Sequence, residues 1–430
     1  MRYADARSLW KSTAEPGPAL PALEADLSAD VAIVGGGYSG LSAAHALQRR
    51  GIEPVVLEAR SVGWGASGRN GGVVSAKFRV PFPAIAKAHG LDTARRMHRL
   101  AHESVDAVEE LIADLGVSQA QFQRTGNLRC AHTQRALDGL IAEADWLRRE
   151  LKDDSCSVLS REELAQELGS AAFVGGVLNR VAGTIHPLNY VRGMAAGLVA
   201  RKVQIFENSP VSGILREPAG VVVETPCGRV RARQVLIATD AYSGLTSATG
   251  QVNRRVVPFR SAIIATERMP AELHAKLLAA RRGYSETRRM MKWFRKVDGR
   301  FVFGGRGAFG KEDTVSSFEA LRRAMTALFP ELEGLAIEFR WSGLVGMTFS
   351  QLPHVGRIDD RACVAFGYNG VGIAMATLLG RYAGRVMAGE SPQVALLDAS
   401  RQKPVPFHSL RAPGVRLVAG WYQMLDALGR

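Results

Sequence analysis

The chain has 430 residues, 47% of them hydrophobic and 22% charged, a length that suits two or three domains with large cores. Its net charge of +14 admits an anionic partner, but the arginines come as dispersed pairs such as Arg49-Arg50, Arg95-Arg96, Arg148-Arg149 and Arg288-Arg289, which argues against a nucleic-acid groove. Cys130, Cys156, Cys227 and Cys363 share no C-x-x-C spacing, so neither a zinc site nor a redox motif is indicated and no metal is expected. Residues 1–28 lack the apolar core of a signal peptide, and no run of ~18 apolar residues is present to span a bilayer. The expectation is a soluble, cytoplasmic protein.

In chain order, the first strong signal is Asp30-Val31-Ala32-Ile33-Val34, then Gly35-Gly36-Gly37-Tyr38-Ser39-Gly40, then a helix-like run, then Val55-Val56-Leu57-Glu58. This predicts strand, tight turn, helix, strand and acid. In the G-x-G-x-x-G of Gly35, Gly37 and Gly40 the first glycine makes the turn, the second lets backbone approach a pyrophosphate, and the third lets helix pack on strand. The helix N-terminus favours phosphate, and Glu58, 18 residues after Gly40, is placed to accept from a ribose hydroxyl pair. A dinucleotide site is expected, with Tyr38, Ser39, Ala59 and Arg60 flanking its contacts.

A second glycine-rich stretch follows directly, Gly63-Trp64-Gly65-Ala66-Ser67-Gly68-Arg69-Asn70-Gly71-Gly72. Its backbone can run close to a flat, bulky ligand and offer N–H donors to flavin N5 and O4, which favours a flavin over a nicotinamide. A flexible surface loop is the alternative. Residues 92–151 carry apolar positions at helix period (Val105, Val108, Leu111, Ile112, Leu115), with an inserted strand at Gly126 to Cys130. After His186-Pro187 come period-2 strands and a buried strand Val235 to Ala238 that ends at a ligand crevice near Thr239. Strands at Ser261 to Glu267 and Arg300 to Arg306 and a helix from Ser317 to Phe329 follow, then Gly370-Val371-Gly372-Ile373 feeding another helix.

The dinucleotide motif, the stretch from Gly65 to Gly72 and the late segment Phe366-Gly367-Tyr368-Asn369-Gly370-Val371-Gly372-Ile373 resemble the D-amino-acid oxidase superfamily of FAD-dependent oxidoreductases, and within it the gamma-glutamylputrescine oxidoreductase branch. The resemblance covers nearly the whole chain, including Trp341 to Leu344 and Leu352 to Gly356. It implies an α/β fold: a Rossmann-like FAD-binding domain (28–82, 181–245 and 340–390) with a second α+β substrate domain (83–180 and 246–339) and a tail (391–430). FAD contacts are expected from Gly35, Gly37, Tyr38, Ser39, Gly40, Glu58, Ala59, Arg60, Gly65, Ala66, Ser67, Arg69, Asn70 and Gly71. Further contacts are expected from Val211, Thr239, Gly343, Asn369, Gly370, Val371, Gly372 and Ile373. With neither His nor Cys in the 63–72 loop, the FAD is expected to be non-covalent.

The activity implied is oxidation of an amine C–N bond by hydride transfer to flavin N5, with oxygen or a carrier protein as acceptor. Substrate-site candidates are Arg69, His186, Arg306, Trp341 and His354, although both histidines flank prolines as structural residues do and Trp341 equally suits a core. Relatives that bind a compact α-amino acid tend to place a cation where this chain has Ala374, which speaks against such a substrate; the resemblance alone implies a gamma-glutamyl-amine of the putrescine type. A modified tRNA base, an amino acid, and a flavin-holding protein without catalysis are the alternatives. The apolar tail, with Leu410, Leu417 and Trp421, is expected to pack on its own protein or a sister subunit rather than a membrane.

Overall fold

A computed structural model describes residues 7–306, 314–411 and parts of 413–425. Its first sheet is built on five parallel strands in the order β5-β4-β1-β2-β3: β1 (Leu27–Val34), β2 (Pro54–Leu57), β3 (Gln204–Phe206), β4 (Arg229–Ile237) and β5 (Ala362–Phe366). Strands covered on both faces read as continuous apolar runs, and Val31 to Val34 and Val55 to Leu57 are buried throughout. Strand His354–Arg357 adds antiparallel to β5, and the meander Gly213–Glu217 and Gly220–Glu224 adds antiparallel to β4.

Two helices cover one face, α1 (Tyr38–Gln48) and a later helix, Gly372–Met387. They approach closely because small residues meet: a Cβ on Gly380 would lie 2.3 Å from the Ser39 carbonyl, and one on Gly384 would lie 2.8 Å from that of Ala43. A larger residue at either position would push apart the two helices that begin at the cavity described below.

The second sheet also has eight strands, in the spatial order Ile337–Met347, Val257–Arg268, Arg300–Arg306, Lys292–Val297, Gly283–Glu286, Asn127–Ala131, Gly175–Asn179, Cys156–Leu159. Every pairing is antiparallel except that of Gly283–Glu286 with Asn127–Ala131. Tyr284, Phe294 and Phe303 lie opposite one another on three adjacent strands, with ring centroids 5.6 and 6.1 Å apart and nearly parallel planes. Helix Val315–Leu328 covers this layer with Phe318, Leu321 and Met325 and ends before Pro330. Long helices α2 (Leu91–Leu115) and α3 (Gln134–Leu151) complete the molecule beside both layers.

The segments expected to form two domains alternate along the chain as two sheets. The expected boundary at 340 falls inside strand Ile337–Met347, which pairs along its length with Val257–Arg268 in the second sheet. Hydrogen bonding to a neighbouring strand, invisible to a linear reading, decides that membership. The described start of the tail lies against the rest of the chain, with Val405 buried, Leu410 lining the cavity and Arg411 donating to Asn253, whereas Leu417 and Trp421 are exposed; Val415, Val418, Tyr422 and Leu428 lie outside the described residues. No described helix is long and apolar enough to cross a membrane.

Because Phe294 is fully buried at the centre of the aromatic stack, Phe294→Ala is expected to destabilise the protein by about 3–5 kcal/mol through lost transfer energy and a residual cavity. Urea unfolding followed by circular dichroism checks this.

Candidate active site

The carboxyl ends of β1 and β4 open onto a cavity of about 1140 Å³, where a doubly wound sheet places its ligand. Gly35 takes the turn out of β1 at φ +112°, a backbone conformation suited to glycine, and a Cβ there would press on the Ala238 carbonyl at 2.9 Å. Gly40 is fixed by packing, since its Cβ would sit 1.9 Å from the Gly35 carbonyl. Gly37 caps α1 without a side chain, and Ser67 Oγ accepts from the next N–H, that of Tyr38, at 3.1 Å. The following N–H groups of the first turn have no intrahelical acceptor by helix geometry, and they open the positive end of the helix toward the cavity.

Glu58 ends β2 beside this turn. Its Oε2 accepts from the Gly36 N–H at 2.8 Å and its Oε1 from the Arg60 N–H at 3.0 Å. Burial pushes its pKa up, opposed by these backbone bonds. The carboxylate is thereby held rigidly at the cavity edge. Ala59 lines the cavity too, whereas Arg60 turns outward and places its guanidinium 6.0 Å from the Trp64 ring.

The 63–72 loop is an ordered element tied from behind by its carbonyls. Tyr38 Oη donates to Ser67 O (2.6 Å), Trp341 Nε1 to Arg69 O (3.0 Å), Trp10 Nε1 to Asn70 O (2.8 Å) and Arg295 Nη1 to Gly72 O (2.6 Å). The same Arg295 nitrogen reaches Gly71 O and Ile185 O at 3.3 and 3.1 Å. Burial lowers the Arg295 pKa to about 10, so the guanidinium is a cation at neutral pH, held by carbonyl dipoles. Asn70 closes the loop internally, donating to Ala66 O and Ser67 O and accepting from the Gly72 N–H at 2.9 Å. Among the described residues the Asn70 and Gly71 N–H groups have no acceptor. These are the donors a flat heteroaromatic ligand needs.

The opposite wall comes from the second sheet and the late glycine turn. Asn369, buried at φ +53°, accepts from the Thr348 N–H at 3.0 Å and donates to Thr348 Oγ1 at 3.2 Å, so it braces the turn before Gly370. Val371 and Gly372 then begin the helix, which has no side-chain cap. Asp240, which the linear reading passed over, accepts from the Gly367 N–H at 2.7 Å. Gly346 is required beside it, because a Cβ there would fall 2.2 Å from the Asp240 carboxylate. A strand-end acid two residues beyond a buried parallel strand was the available signal.

Of the residues expected to touch the cofactor, all line the cavity except Gly40 and Arg60. The substrate candidates divide differently. Arg69 lines the cavity: its Nε donates to Trp64 O at 2.6 Å, its guanidinium lies 5.1 Å from the Trp64 ring, and its buried Nη2 has no partner. His186, Trp341 and His354 do not line it. His186 caps helix Pro187–Ala200 by accepting from the Asn189 N–H at 3.2 Å and contacts Thr13 at 3.0 Å. Trp341 is fully buried behind the loop, and His354 bonds Ser350 Oγ at 2.8 Å inside the first domain. Arg306 ends its strand, and its side chain lies outside the described residues. Ala374 is buried in the helix core and does not line the cavity, so the missing cation at that position says nothing about substrate charge.

Cations reach the cavity elsewhere, from Lys77, Arg79, Arg129, Arg288 and Arg289, opposed there by Glu286. Phe259, Phe349 and Trp293 supply aromatic wall on the same side. Sequence spacing did not bring these residues together, because they come from separate segments that all reach the cavity only in the folded chain.

A model of the DAO family, described as FAD dependent oxidoreductase, matches residues 30–385. The chain belongs to this family and is an FAD-dependent oxidoreductase. It is 30% identical over 95% of both chains to gamma-glutamylputrescine oxidoreductase of Escherichia coli. A probable oxidoreductase, OrdL, of Haemophilus influenzae is 31% identical over 86% of this chain and 85% of its own. The glycine oxidase structure from Geobacillus kaustophilus shares the fold at a TM-score of 0.73, with 20% identity over 88% of this chain and all of that one. The residues present fit FAD: glycines that leave room where a Cβ would clash, an open helix N-terminus, a rigid acid after β2, loop N–H donors, and a buried guanidinium nitrogen without a protein acceptor.

Two outcomes follow from this geometry. Glu58→Ala is expected to weaken FAD binding about ten- to a hundredfold, or roughly 1.5–3 kcal/mol for a charge-assisted hydrogen bond, as measured by flavin fluorescence on dilution; an unchanged dissociation constant removes Glu58 from the ribose. The second concerns pH. Burial lowers the pKa of both His186 and His354 to about 4, so between pH ~6.5 and 4 the unfolded chain binds protons that the native state does not. Folding stability therefore falls as pH drops through that window, and the melting temperature of His354→Gln should decline less steeply than that of the parent.

Proposed function

We propose that this flavoenzyme oxidises the C–N bond of an amine that carries a carboxylate at its far end, a gamma-glutamylputrescine-like compound. The observation that carries the reading is that Arg79, Arg129, Arg288 and Arg289 line the cavity together with Phe259, Phe349 and Trp293. Arg129 has an ion-pair partner in Glu143 only at 3.7 Å and is well exposed, so a substrate carboxylate can compete for it. The likeness to the Escherichia coli relative supports the same substrate class.

Bound FAD would supply the hydride acceptor, so that the amine would leave as an imine that water hydrolyses to an aldehyde and an amine. The protein's part is binding and electrostatics. A protonated amine, with a pKa of roughly 10, must lose its proton before its carbon can give up a hydride, and a cationic, desolvating wall favours that loss. The open end of helix Gly372–Met387 at Val371 favours negative charge developing beside it. Among the described lining residues there is no His or Cys, which supports FAD held without a covalent link. Electrons then pass to oxygen or a carrier protein.

Anaerobic mixing tests the reading: gamma-glutamylputrescine should bleach the flavin faster than sarcosine, glycine or D-alanine. Faster reduction by the amino acids would reject it. Arg129→Gln should raise KM for the carboxylate-bearing amine about tenfold, on the order of 1.4 kcal/mol, while leaving that for putrescine nearly unchanged. Acid precipitation should release the flavin into the supernatant.

A further inference from the structure

Away from the cavity, α2 and the chain just beyond α3 bring together two histidines and an aspartate. His98 and His102 are four residues apart and so project from one face of α2, with ring centroids 4.3 Å from each other. The α3 helix ends at Lys152 in the left-handed conformation, φ +56°, and the Asp153 N–H turns back to the Leu147 carbonyl. That reversal aims the Asp153 carboxylate at the histidine pair. Its Oδ2 lies 2.8 Å from His98 Nε2 and 3.5 Å from His102 Nε2.

We propose that His98, His102 and Asp153 form a binding site for a divalent transition metal of the zinc type. Zinc sits about 2.0–2.2 Å from imidazole nitrogen and carboxylate oxygen, so tetrahedral ligand atoms are separated by roughly 3.3 Å. The two measured separations bracket that value, and all three ligand atoms lie within 4.8 Å of one another. Two imidazoles and one carboxylate match zinc's borderline character. Three protein ligands leave a fourth position for water, on the side where the His102 side chain is 29% exposed while that of Asp153 is 7% exposed.

The supporting groups are in place. Asp153 Oδ1 accepts from the Ser155 N–H at 2.8 Å, which fixes the carboxylate's orientation as outer-sphere partners of metal ligands do. Ser155 Oγ is buried with no partner, a polar atom beside the site that the protein alone leaves unsatisfied. None of the three residues lines the FAD cavity. The metal's role is therefore structural: it staples the end of α3 to the middle of α2. The absence of cysteine pairs hid this site from the sequence, where His-x-x-x-His on one helix was the available sign.

The test uses tag-free, FAD-loaded protein, stripped with a chelator and dialysed against zinc. One zinc per chain by elemental analysis, with micromolar or tighter affinity and a raised melting temperature, is expected. His102→Gln, at a partly exposed position, and Asp153→Asn should each weaken zinc binding roughly tenfold or more while keeping the parent's FAD content, which reports the fold separately. No bound zinc, or zinc bound equally by parent and both variants, overturns the proposal and leaves an ion-paired clamp.

Discussion

The structure depends on how the carbonyls of residues 67–72 are satisfied. The ten-residue loop with five glycines holds one short 3-10 turn, Ala66–Gly68, which leaves the carbonyls of residues 67, 69, 70 and 72 without backbone partners inside the loop, and buried carbonyls without partners would cost about 1–3 kcal/mol each. Tyr38, Trp10, Trp341 and Arg295 meet that requirement from four different segments of the chain. By drawing the carbonyls to one side they give the loop one conformation, in which the Asn70 and Gly71 N–H groups remain for a ligand.

This constraint also links the two sheets. Arg295 lies on strand Lys292–Val297 and Trp341 on strand Ile337–Met347, both in the second sheet, yet both bond the flavin loop of the first. The Trp293 ring packs against Gly71, where a Cβ would meet it at 2.7 Å. The strands of the second sheet and the 63–72 loop are thus one packed unit, which keeps the geometry between them fixed. The N-terminal helical turn joins in through Trp10, whose ring also meets His186 and Trp341 edge-on at 5.1 and 6.1 Å.

The charge distribution separates two tasks. Near the dinucleotide turn, backbone N–H groups and a helix end favour phosphate, with Glu58 as the acid they orient. Elsewhere in the cavity lining the charges are side chains, arginines with Glu286 among them, and their reach is longer and more adaptable. Glu286 is itself buried and ion-paired with Arg288, so one of these cations is already oriented before any substrate arrives.

By itself the sequence determined the dinucleotide turn, because Gly40 is required by the Gly35 carbonyl within the local chain and Gly35 by the adjacent strand end at Ala238, while Gly37 packs on Ser67 of the following loop. It also marked the 63–72 loop and the late glycine turn as cavity-lining segments, since a run of glycines marks backbone that must pass close to something. What it left open was every assignment made by distant pairing. His186 and His354 became buried structural histidines because helix capping and a serine hydroxyl claimed them, Trp341 became a brace because its indole found the Arg69 carbonyl, and Ala374 faced the core because the helix phase turned it there. The arginine lining of the cavity, the Asp240 contact and the His98–His102–Asp153 cluster exist only once strands and helices far apart in sequence are brought side by side; the physical reason is that local spacing fixes backbone conformation, whereas the tertiary structure alone decides which side chains share a dielectric environment and a hydrogen-bond partner.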